Sequence, residues 1–143
     1  MRVVVFAPTN RTIGDGVAAL ADAADVTVLS FGPSSWDGAG SIAVGAPGIR
    51  TRLSELARRS APGRVLRRLS PLDPGAIFAR RVRTSAEAQA VIGEADLLVS
   101  VERDAQFAVW REARRRARRG SAVAAVAGFP AARIAVRGLS GDS

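Results

Sequence analysis

Residues 95–110 read ADLLVSVERDAQFAVW. The unbroken apolar run LLVSV suits a strand covered on both faces, and the charged triplet Glu102-Arg103-Asp104 follows it directly. Helical spacing begins at once after the triplet. This is the strand–turn–helix unit of an α/β fold, whose ligands bind beyond the carboxyl ends of the strands. Asp104 reads as the N-cap of a helix running to about residue 119 and closed by Gly120. Phe107, Trp110, Ala113 and Ala117 recur every three or four residues and form the predicted buried stripe. The six arginines of residues 111–119 fall on the remaining sides, where a solvated face is expected and the last turns suit the helix dipole.

The same alternation extends outward. Residues 2–7, RVVVFA, form a second strand of the doubly covered kind, ended by Pro8 and a polar loop to residue 13. A helix over residues 15–24 places Val17, Leu20, Ala21 and Ala24 on one side. Residues 26–31, VTVLSF, follow as a strand, then a Gly/Pro/Ser loop around Trp36, then a shorter strand over residues 41–46, SIAVGA. The centre is expected to be helical over residues 51–60 and 64–69. Asp73-Pro74 starts another helix with Ile77, Phe78 and Val82 inside. TSAE at residues 84–87 fits a capping box for a helix ending near Glu94. Residues 122–127, AVAAVA, read as a further buried strand, and residues 131–137 as a short helix or strand. The expected fold is a single α/β domain over residues 1–137: a Rossmann-like open parallel sheet of four to five strands with helices on both faces. Residues 138–143 are expected as a flexible tail.

At 143 residues with 48% hydrophobic and 24% charged side chains, the chain can bury one sizeable core. Cysteine and histidine are absent, which excludes disulfides, thiolate chemistry, Cys-type zinc sites and Ser-His-Asp catalysis. No apolar run approaches about 18 residues, and a cytoplasmic location is expected. All 21 basic residues are arginine. Up to residue 48 there are two arginines against four aspartates; beyond it there are nineteen arginines against nine acids, nets of −2 and +10. Such a field draws anions without naming them.

Two constellations are candidates for chemistry. The loop after the first strand holds Asn10, Arg11, Gly14, Asp15 and Gly16, and Gly14, Gly16 and Ala19 fit G-x-G-x-x-A. Glycines there either open the backbone to a phosphate or hydroxyl or serve a turn needing positive φ. A dinucleotide site is disfavoured, because the glycines come late and the second strand ends in Ser30-Phe31-Gly32 without an acid for the ribose. The second constellation is Glu102 and Arg103. Glu102 offers a base or a hydroxyl acceptor and Arg103 a phosphate clamp; the alternative is that both are solvated or paired.

The opening MRVVVFAP, the delayed glycine loop Gly14-Asp15-Gly16, DVTVLSFG at residues 25–32, residues 95–115 and the closing small-residue strand together resemble one family. They look like the N-terminal Rossmann-like half of a retaining GT-B glycosyltransferase, over most of the chain except residues 48–83. That resemblance implies an acceptor-binding half-domain, with the nucleotide-sugar donor held by a C-terminal half. The sequence departs from the pattern in lacking that half and its donor-binding residues, and in lacking the histidine often found in the N-terminal half. The implied function is therefore binding of a sugar acceptor or a partner, with no transfer by the chain alone; any activity would be glycosyl transfer within a two-domain assembly. The alternative is a small Rossmann- or flavodoxin-like module for a phosphorylated metabolite or a protein. No cofactor or metal is expected of the chain itself, and a nucleotide sugar only when a donor domain is paired with it. Expected partners are a second copy or a donor-binding domain, with anionic membrane as a further contact. Nucleic acid is not expected, because aromatic stacking partners are few.

Overall fold

The computed structural model describes residues 1–10, 14–45 and 73–141. In chain order the elements are β1 (Arg2–Phe6), α1 (Gly14–Ala21), β2 (Asp25–Ser30), β3 (Ala39–Ala43), α2 (Pro74–Thr84), α3 (Ala86–Glu94), β4 (Leu97–Ser100), α4 (Arg103–Arg118), β5 (Ala124–Ala127) and α5 (Phe129–Gly141). The helices expected over residues 51–60 and 64–69, and Arg11, lie outside the described residues.

The strands form one all-parallel sheet in the order β3-β2-β1-β4-β5, so the α/β, Rossmann-like open sheet is the architecture. Strand β1 lies at its centre, with Val3 opposite Val26 of β2 and Leu97 of β4. Side chains alternate across the pleat, which divides the core in two. Val3, Val5, Leu97 and Val99 pack with Val17 and Leu20 of α1 and with Ala132 and Val136 of α5. Val4, Phe6 and Leu98 pack on the other face with α2, α3 and α4. There Phe78 meets the rings of Phe6 and Phe31 edge-on, at centroid distances of 6.4 and 5.2 Å.

Helix α2 starts as expected: Asp73 accepts from the Ala76 N–H at 3.1 Å with Pro74 in the first turn. The next cap moves by one residue. Ser85, not Thr84, caps α3, accepting from the Ala88 N–H at 3.2 Å, while the Thr84 hydroxyl turns back onto the carbonyls of Arg80 and Arg81. Thr84 is still helical, so its side chain is not placed to cap.

Helix α4 departs most from expectation. It begins at Arg103; Glu102 holds the N-cap position without a side-chain cap bond, and Asp104 sits in the first turn instead of capping it. The buried side is Ala105, Ala108, Val109 and Glu112, whereas Phe107 and Trp110 are 44% and 52% exposed. Proximity is the reason. A Cβ on Gly75 of α2 would lie 2.9 Å from the Asp104 carbonyl oxygen, so the backbones are close at this crossing and the α4 positions next to it, Ala105 and Ala108, are small. Two arginines also turn inward. Arg115 donates to Gln89 Oε1 at 2.6 Å, and Arg116 to the carbonyls of Ile92 and Ala95 at 2.9 and 2.5 Å, satisfying the end of α3.

Strand β5 is a second correction. Ala124, Ala125 and Ala127 are exposed, not buried, because among the described residues this edge strand pairs with β4 alone. The third concerns α5, whose helix covers residues 131–137 and continues through Gly141, where a tail was expected from residue 138. No described helix is long and apolar enough to cross a membrane.

Candidate functional site

In a parallel sheet every strand delivers its carboxyl end to the same rim. The chain steps from β1 outward to β2 and β3, then returns to the other side of β1 as β4. The loops after β1 and β4 therefore diverge, and the crevice between them is the ligand position of open α/β sheets. Residues Pro8, Thr9 and Asn10 leave β1, while Val101 and Glu102 leave β4. The Phe31 N–H donates to the Pro8 carbonyl at 3.2 Å and the Val101 N–H to the Phe6 carbonyl at 3.3 Å, fixing both exits to the sheet.

Glu102 spans the crevice. Its two carboxylate oxygens accept from the Thr9 N–H at 3.1 Å each, and the Thr9 hydroxyl donates to Oε2 at 2.9 Å. The carboxylate is half-buried and thus tied first to the β1 loop, with lone pairs left for a further donor. Next along the loop, Asn10 takes a left-handed conformation at φ 56°, which asparagine tolerates better than most residues. Its Oδ1 is buried and has no hydrogen-bond partner among the described residues. Arg103 is exposed at the first position of α4.

The glycine constellation resolves differently from its sequence reading. Gly14 and Gly16 are both helical residues of α1, and neither has positive φ; among the described residues of this loop the left-handed one is Asn10. A Cβ on Gly14 would lie 3.7 Å from the Trp36 ring, an ordinary contact. A Cβ on Gly16 would overlap the ring of Phe129, the first residue of α5. Gly16 thus seats an aromatic ring instead of opening the backbone to a phosphate. Asp15 is exposed in the first turn of α1, where its charge suits the helix dipole.

The structure thus gathers Asn10 and Glu102 about Thr9, with Gly14, Asp15 and Arg103 along the same rim, and turns Gly16 inward. Thr9 and Phe129 were not among the predicted residues. Thr9 carries the first hydroxyl after β1, a usable signal; Phe129 stands before a proline, a pairing that by itself reads as a turn. The described rim holds Asp15, Glu102 and Asp104 against Arg103, a balance that favours hydroxyls and amides over phosphates. Among the described residues no three acidic side chains cluster as metal ligands would. Compared with models of protein families, with curated proteins and with solved structures, the chain gives no match.

Proposed function

We propose that the chain is a glycosyltransferase-like binding domain, of the kind that forms the N-terminal half of GT-B enzymes. It takes a hydroxyl-rich acceptor at the β1/β4 crevice and moves no sugar without a separate donor-binding domain. The Glu102 carboxylate held across the switch point on Thr9 carries this reading. The oriented carboxylate offers acceptors to sugar hydroxyls, and the described rim, with Asp15, Glu102 and Asp104 against Arg103, suits a phosphate less well. Phe129 fills the space that a pyrophosphate would need beside Gly16. The need for a partner rests on the exposed edge strand β5 and on Ile134 and Leu139 of α5, which are 72% and 44% exposed.

Thermal unfolding with four ligand classes tests the reading: neutral glycosides, sugar phosphates, nucleotide sugars and free nucleotides. Neutral glycosides should raise the midpoint, and Glu102→Ala should abolish the shift. Stabilisation by a nucleotide without sugar would favour the phosphorylated-metabolite module, with Arg103 as its clamp. Sugar transfer by the purified chain would refute the claim of inactivity.

A further inference from the structure

We propose that the outward face of α4 binds single-stranded nucleic acid, its bases stacking on Phe107, Trp110 and the guanidinium planes laid over them. The two rings lie side by side, with centroids 6.1 Å apart and planes 22° from parallel. The Arg111 guanidinium carbon stands 5.5 Å from the Phe107 centroid, and that of Arg114 stands 5.2 Å from the Trp110 centroid. Four planar groups are thus arrayed along one exposed face, each restrained by its neighbour.

Beside this array lies a cleft of about 650 Å³ between α4 and the end of α2. Arg83, Arg111, Arg114, Arg118 and Arg119 line it with Trp110. Among the described lining residues the one acid, Glu112, is buried and lies 3.5 Å from Arg115, so the accessible wall they form is positive. Among the described residues none of those five lining arginines makes a salt bridge. The surface therefore joins a cationic trough to planar π-faces.

Single strands suit both features, since their phosphates are anionic and their bases unpaired. A duplex hides its base faces, and an acidic peptide matches the charge but leaves the planes unused. A bilayer would take the rings only by burying the guanidinium groups stacked on them, and the cleft is concave. The sequence holds seven Phe and Trp residues, few for stacking, yet two of them share this one face.

Fluorescence anisotropy of a labelled oligouridylate of about 12 nucleotides with the full chain tests the proposal. About four phosphate contacts predict a roughly 50-fold loss of affinity between about 50 and 200 mM salt. Replacing both rings (Phe107→Ala with Trp110→Ala) should weaken binding by about tenfold or more at fixed salt and leave the salt slope unchanged. Arg111→Ala with Arg118→Ala should flatten that slope. Both rings are exposed, so the ring variant should keep the wild-type circular dichroism and melting temperature. Undetectable binding at low salt, or unchanged affinity in the ring variant, overturns the proposal. So does tighter binding of polyglutamate or of phosphatidylserine vesicles than of the oligonucleotide.

Discussion

The two sides of α4 invert the usual relation between residue size and burial. Its inner side carries Ala105, Ala108, Val109 and Glu112, and its outer side Phe107 and Trp110. Inside, α2 comes so close at Gly75 that not even an added Cβ clears the Asp104 carbonyl, and the neighbouring inner positions are alanines. Outside, the rings pack beside each other and under arginines, so part of their apolar area is covered without entering the core. Burial along this helix follows the distance to its neighbour more than the transfer free energy of each side chain.

Substitutions on the two sides should therefore separate sharply in urea unfolding. Ala108→Phe, which brings a ring into the tight side, should cost about 3 kcal/mol; a loss under about 0.5 kcal/mol would mean the inner side has room. Gly75→Ala pits two effects against each other. Helix propensity favours alanine by roughly 0.5–1 kcal/mol, but the methyl group meets the Asp104 carbonyl. A net destabilisation of about 1 kcal/mol is expected, and a gain in stability would show that α2 and α4 can move apart. Arg116→Met keeps the aliphatic stem and removes the donors to Ile92 and Ala95, at a cost of about 1 kcal/mol. Least affected should be Trp110→Ala, within about 0.5 kcal/mol of wild type; a larger loss would place the ring in the stability core after all.

Strands β4 and β5 repeat the lesson in the sheet. LLVS and AAVA both read as doubly covered strands, yet β4 is wholly buried and β5 mostly exposed. Their difference is rank in the sheet: β4 has a strand on each side, β5 on one. Among site residues, Glu102 was legible because it follows a buried strand directly. Its Thr9 partner was not, since they stand 93 residues apart. The glycines at 14 and 16 were visible as glycines, but the ring that explains Gly16 arrives from α5.

Periodicity and punctuation alone determined the α/β class, the approximate limits of β1, β2 and β4, and the Asp73-Pro74 helix start, because these depend on neighbours within a few residues. Which helix side faces inward, which strand lies at the edge, and what Glu102 and Gly16 touch were decided only by tertiary structure. Each depends on how near a distant segment comes, and the free energy of packing is set by that separation, which no local window of sequence contains.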